Sequence, residues 1–268
     1  IAMSIADRPG LAVGFVGGAL ASAGGAGFLG ALVAGFAAGY LVLGLKKIFS
    51  KLPKSLEGIK PVLLYPFFGI LIIGLGMTFV INPPVAALNT LMSDALNSMS
   101  GSSKVILGLI LGAMMAFDMG GPLNKAAYVF GTASLVTGNF DIMAAVMVGG
   151  MTPPLALSAA SLIFPKKFTS EERGAWPTNI VMGLSFITEG AIPFAAADPL
   201  HVIPSLMAGS AVAGALSMLF NCTLRAPHGG VFVFPVVGQS LLYIVALLVG
   251  TAVSAFLLGI LKKNVTEV

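Results

Sequence analysis

Charge is what this 268-residue chain has least of: Lys, Arg, Asp and Glu make up 9% of it, against about 25% in an ordinary soluble domain. Hydrophobic residues reach 57%, where about 45–50% is usual. That balance excludes a water-soluble globular fold. It also excludes disorder, which needs low hydrophobicity and high charge. Cysteine is nearly absent. The single Cys222 rules out a disulfide framework, a zinc cluster and an iron–sulfur site. The chain also lacks a Walker-type phosphate loop, a His/Cys/Glu metal spacing and a Ser–His–Asp grouping. Neither a nucleotide-driven engine nor a bound metal or cofactor is expected. The net charge of +4 does not point to nucleic acid, because Lys and Arg stand in short blocks beside apolar runs. Membrane proteins set their orientation that way.

What is present is apolar length. Mean hydropathy is +1.00. At about 20 apolar residues per crossing, the chain has material for roughly six to eight passes through lipid. The 34 glycines and 16 prolines exceed the needs of a plain bundle and predict broken or closely packed helices. The fold class expected is therefore an all-α polytopic membrane protein, with transmembrane helices, broken helices and re-entrant hairpins. The chain begins at Ile1 rather than Met, and earlier spans are expected upstream.

No charged residue falls between Leu11 and Leu45. The stretch is too long for one comfortable span and too short for two. Its glycines, Gly10, Gly14 and Gly18, then Gly24, Gly25 and Gly27, suit close helix packing or a re-entrant tip. Lys46, Lys47, Lys51, Lys54 and Lys60 follow, against Glu57 alone, which predicts a cytoplasmic loop. Pro61–Ile81 reads as a span stopped by Asn82-Pro83-Pro84. Residues 85–99 read as an amphipathic helix at the outer interface. Two short apolar pieces, 105–117 and 126–136, flank Asp118–Lys125. A third, 142–164, is interrupted by Pro153-Pro154, and Lys166, Lys167 and Arg173 point to the cytoplasm again. Parity then favours a hairpin with 118–125 at its tip, beside a cavity.

Polar groups in apolar surroundings are the functional candidates, since a charge at membrane depth costs roughly 2.5–3.5 kcal/mol on insertion scales. Glu189 is the sharpest. It stands in Phe186–Phe194 with no basic residue nearby in sequence, on backbone that Gly190 and Pro193 should break. Such a carboxylate can accept hydroxyl hydrogen bonds, as sugar binding requires. The alternative is an ion pair with a distant Lys or Arg. Asp118 and Lys125 neutralise each other across a turn, or Asp118 or Asn124 contacts substrate. His228 has small neighbours that expose its ring. Arg225 is either a counter-ion or an interfacial cation, His201 a tip residue, and Cys222 an inert buried thiol.

FITEGAIPF at 186–194, followed by Asp198-Pro199, FDMGGPLNKAAY at 117–128 and APHGG at 226–230 together resemble the fructose-type membrane component, enzyme IIC, of the bacterial phosphoenolpyruvate-dependent sugar phosphotransferase system. The resemblance extends to IADRPG at 5–10 and so through almost the whole chain. It implies a sugar permease in the bacterial cytoplasmic membrane. Such a permease takes up fructose or a fructose-like sugar while a phosphorylated IIB component transfers a phosphoryl group to it. It implies a homodimer with a scaffold part and a mobile transport part, no phosphorylated residue in this chain, and further spans upstream of IADRPG. On that basis 1–268 is an enzyme IIC membrane domain, with 11–103 mainly scaffold, dimerisation spans and interfacial helix, and 104–268 mainly transport. The candidate sugar-binding set is Glu189 with Thr188 and Gly190, together with His228, Asn124 and Asp118. The partners implied are sugar, phosphorylated IIB, membrane lipid and a second copy. The competing reading is an ion-coupled secondary transporter in which Glu189 and Asp118 carry protons or sodium.

Overall fold

The computed structural model describes residues 1–98 and 102–265, and these form two compact units, Ile1–Leu96 and Asn97–Val268. Each is built from helices. Among the described residues, five helical stretches are long and apolar enough to cross a membrane: Leu29–Phe49, Lys60–Leu88, Phe140–Ile163, Pro199–Leu219 and Ser240–Leu261. Pro9–Ala23 and Ser103–Phe117 are apolar but shorter. The all-α polytopic membrane fold read from composition is the architecture found.

In the first unit, α1 (Ala2–Ala6), α2 (Pro9–Ala23) and α3 (Gly27–Phe49) pack with α4 (Tyr65–Gly76) and α5 (Asn82–Ser98). The uncharged run from Leu11 resolves into two helices. The chain turns at Gly24–Ala26, where Gly25 has φ +73°, a backbone that residues with a Cβ rarely adopt. The core is made of small and branched residues, Val13, Ala21, Ala34, Ala38, Val42 and Ile73. A Cβ on Gly17 would lie 3.1 Å from the Ala34 side chain, which shows how closely α2 approaches α3.

Pro83-Pro84 was expected to stop the 61–81 span, and the structure corrects that. The chain stays helical from Lys60 to Ser98, with π-helical turns at Lys60–Leu64 and Met77–Ile81. Proline lacks an N–H and its ring crowds the carbonyl four residues back. A wider π turn just upstream gives the ring room, and the helix continues. Asn82 Nδ2 donates to the Leu20 carbonyl at 2.8 Å and ties the start of α5 to α2. The interfacial placement expected for 85–99 concerns residues of α5 together with Met99, which lies outside the described residues.

The second unit holds α6 (Ser102–Phe117), α7 (Pro122–Val136), α8 (Phe140–Ile163), α9 (Ser170–Gly174), α10 (Trp176–Leu184), α11 (Ile192–Ala197), α12 (Pro199–Leu219) and α13 (Ser240–Leu261). A two-residue antiparallel pair, Thr223–Leu224 with Val237–Gly238, closes the segment between α12 and α13. Helix α8 is the centre of this unit. Within its most apolar 18-residue window, 89% is buried. Pro153-Pro154, read as an interruption, lies inside it, and the helix runs through. The freed carbonyls are partly taken up by other donors. Pro154 has no N–H for the Gly150 carbonyl, and the Thr188 hydroxyl donates to that carbonyl instead, at 3.2 Å. Glycines let α6 and α12 meet backbone to backbone. A Cβ on Gly112 would lie 2.8 Å from the Ser210 carbonyl carbon.

Candidate functional site

The turn between α6 and α7 sets one wall of the site. Met119 (φ +45°) and Gly120 (φ +106°) reverse the chain. Asp118 then caps α7: its Oδ2 accepts from the Leu123 N–H at 2.7 Å and its Oδ1 from the Asn124 N–H at 2.9 Å. A carboxylate satisfying free N–H groups at a helix start is favoured by hydrogen bonding and by the helix dipole. Asn124, 6% exposed, sends Nδ2 back to the Met115 carbonyl at 2.7 Å, which stitches the start of α7 to the end of α6.

The opposing wall is the 3₁₀ turn Thr188–Ala191. It follows Phe186, whose φ of +61° is rare for a bulky residue. Gly150 of α8 makes room for the Phe186 ring, since a Cβ there would run into it. Thr188 anchors the turn to α8 through the Gly150 carbonyl. Glu189 then faces the Asp118–Gly121 turn. A Cβ on Gly120 would sit 2.7 Å from Glu189 Oε1, so the close approach of the two walls depends on that glycine.

Between these walls lies a cavity of about 490 Å³. Asn124, Thr188, Glu189 and His228 all line it, joined by Met115, Lys125, Tyr128, Phe186 and Ile187. Aromatic rings form one side. Phe186 and His228 lie 4.9 Å apart between centroids, Tyr128 and Phe186 6.2 Å, and Tyr128 and His228 6.4 Å. Asp118 and Gly190 do not line this cavity. Asp118 is committed to the α7 cap, and Gly190 backs onto Asn179 of α10.

Two expectations about charge change. Asp118 does not pair with Lys125. The Lys125 ammonium lies 3.9 Å from Glu189 Oε1, so Glu189 has a distant cation after all. The capping geometry explains the exchange, since both Asp118 oxygens are occupied by backbone N–H groups. The side chains of Lys125 and Glu189 are 63% and 47% exposed, so the pair is screened and weak. Arg225 lies over the Phe140 ring, 5.0 Å from its centroid. His201 Nδ1 is 2.7 Å from Asp198 Oδ1 at the start of α12. Cys222 is buried, with Sγ 3.9 Å from the Gln239 carbonyl. None of these three residues lines the cavity. No group of His, Cys, Asp and Glu among the described residues could hold a metal ion.

Sequence reasoning missed Tyr128 and Phe186 as wall residues, and placed Lys125 only as a partner of Asp118. Tyr128 was findable: it stands four residues after Asn124 and so shares its face of α7. Phe186 was not, because its direction comes from a left-handed backbone that apolar patterning does not signal. Chemically, the cavity offers a carboxylate, an amide, an imidazole and an ammonium beside aromatic faces. That set suits an uncharged ring carrying several hydroxyl groups.

Comparison with known proteins gives a consistent family. The family model for "Phosphotransferase system, EIIC" matches residues 1–209. The chain is 55% identical over its whole length to a Bacillus subtilis "PTS system fructose-specific EIIABC component", of which it spans 42%. It is 55% identical to a Bacillus amyloliquefaciens "Fructose permease IIC component", spanning 88% of that protein. It is 44% identical over 98% of its length to a Haloferax volcanii "PTS system fructose-specific EIIC component", spanning 75% of it. No solved structure matches. The ion-coupled reading of Glu189 and Asp118 gains no support from these relatives. A chain of membrane-crossing helices matched by this model along most of its length belongs to the EIIC family of the phosphotransferase system.

Proposed function

We propose that this chain is the membrane permease of a fructose-type phosphotransferase system. It binds fructose or a fructose-like sugar and moves it inward, coupled to phosphorylation of the sugar by a phosphorylated IIB component. The observation that carries the reading is the 490 Å³ cavity in which Glu189, Asn124, Thr188 and His228 meet beside Phe186 and Tyr128. Glu189 accepts hydroxyl hydrogen bonds from the sugar, and aromatic faces cover its apolar C–H groups. Asn124 and His228 supply further polar contacts. Thr188, Gly190 and Asp118 hold the walls. The names of the relatives support fructose as substrate, and the EIIABC name joins A, B and C parts in one protein.

The same reading assigns 11–103 to scaffold and dimerisation and 104–268 to transport. The exposed apolar residues of Lys60–Leu88, among them Phe67, Leu71 and Phe79, support a covering of lipid or of a second copy. Vesicles carrying the chain with the other phosphotransferase components and labelled fructose test the function. The expected result is uptake that depends on phosphoenolpyruvate and leaves sugar phosphate inside. Uptake that an ionophore collapses would overturn the reading.

A further inference from the structure

Glu189 lines two cavities. The second, of about 690 Å³, lies on the α9–α10 side of the Thr188–Ala191 turn. Asn179, Gly190 and Glu189 line it, along with Glu171, Glu172 and Thr178. Asn179 is 2% exposed, and its Nδ2 has no hydrogen-bond partner among the described residues. A buried amide N–H without an acceptor is costly, so such a group marks a place where a partner is missing. The Asn179 side chain also packs against Gly190, where a residue larger than glycine could not be tolerated. A Cβ on Gly190 would lie 2.5 Å from Asn179 Oδ1. The turn that carries Glu189 therefore presses directly on the amide.

The charge of this cavity defines its ligand. Glu171 and Glu189 contribute carboxylates, Glu172 is engaged with the Thr169 N–H and Lys262, and no Lys, Arg or His lines it among the described residues. Lys262, which does not line the cavity, lies 3.6 Å from Glu172 Oε1. Carboxylates accept hydrogen bonds from hydroxyl groups and repel phosphate esters. The amide N–H donates to a hydroxyl or ring oxygen after a rotation about the soft terminal torsion of asparagine. We propose that the second cavity is a further binding position for the uncharged sugar, on the far side of Glu189 from the first, held by Asn179 and closed to the sugar's phosphate. This rests on the permease reading above. In this position Glu189 remains a shared acceptor, so the sugar changes cavities without losing its carboxylate partner.

The test uses the full chain, purified in detergent, with Thr178→Cys in a Cys222→Ala background. Fructose binding is first measured by calorimetry, and maleimide labelling of the introduced thiol is then timed. Saturating fructose should slow labelling severalfold, and fructose 1-phosphate at the same concentration should not. Adding Asn179→Leu should remove the protection and weaken fructose binding at the first cavity by less than the roughly tenfold that one lost hydrogen bond costs there. Asn179→Ser, smaller and still a donor, should restore part of the protection and serves where leucine is not accommodated. Bound fructose with no protection of the thiol would overturn the second position and leave the permease reading standing. Equal protection by the sugar phosphate would overturn the selectivity. No fructose binding in the parent chain would remove the permease reading and this inference with it.

Discussion

At the scale of single residues, the site depends on a carboxylate that is only lightly held. Lys125 is 3.9 Å from Glu189 and both side chains reach solvent, so most of the hydrogen-bonding capacity of the carboxylate is open to a ligand. Glu189→Gln keeps the shape and turns one acceptor into a donor. A charge-assisted hydrogen bond is worth about 1.5–3 kcal/mol, so fructose affinity should fall by roughly 10- to 100-fold. Expression should be unchanged, because a neutral amide is cheaper to place in apolar surroundings. Calorimetry on the purified variant decides it, and unchanged affinity would remove Glu189 from the site. Thr188→Val tests the neighbouring anchor. The Gly150 carbonyl would lose its donor inside a buried helix, with a loss of stability of about 1–3 kcal/mol. Thermal unfolding of the variant reads that loss directly. Glu189 is legible in sequence because a lone carboxylate among apolar residues stands out. Its partner is not, since Lys125 comes close only after the 118–121 turn and the 188–191 turn face each other.

At the scale of elements, the cap of α7 is the most exposed dependency. Asp118 serves two N–H groups of that helix with its two oxygens, and the amide of Asp118→Asn can accept from only one of them, so the variant should lose about 0.5–1.5 kcal/mol. Asp118 and Lys125 have separate partners, and the double change Asp118→Asn with Lys125→Met should therefore destabilise additively to within about 0.5 kcal/mol. Recovery of stability in the double variant, seen in denaturation midpoints, would mean the two are a pair after all. Proline is where element reading from sequence goes wrong in this chain. Pro83-Pro84 and Pro153-Pro154 look like stops, yet both lie in continuous helix. In the first case a π turn relieves the crowding. In the second a side chain from a distant turn takes over a freed carbonyl. The first remedy is a change of hydrogen-bond register that residue type does not signal, and the second comes from residues far away in sequence. That α6 and α7 are separate helices joined by a turn is legible, because two short apolar runs flank a Gly-Gly-Pro.

At the scale of the whole molecule, composition alone places the chain in a membrane, and the five long apolar helices agree with it. Orientation rests on the lysines between Lys46 and Lys60. A thiol introduced by Ser55→Cys, in a Cys222→Ala background, should react with an impermeant reagent only from the cytoplasmic side. Reaction in intact cells would reverse the assignment. The helices also differ in how much protein surrounds them. The most apolar windows of Phe140–Ile163 and Lys60–Leu88 are 89% and 17% buried. The first is insulated by its neighbours. The second leaves Val62, Phe67, Phe79 and Val80 uncovered by the chain itself. Bilayer thickness acts on hydrophobic length that meets acyl chains. A thicker or thinner membrane therefore acts on the 60–88 helix by tilt and leaves the helix that braces Thr188 mechanically deaf to it.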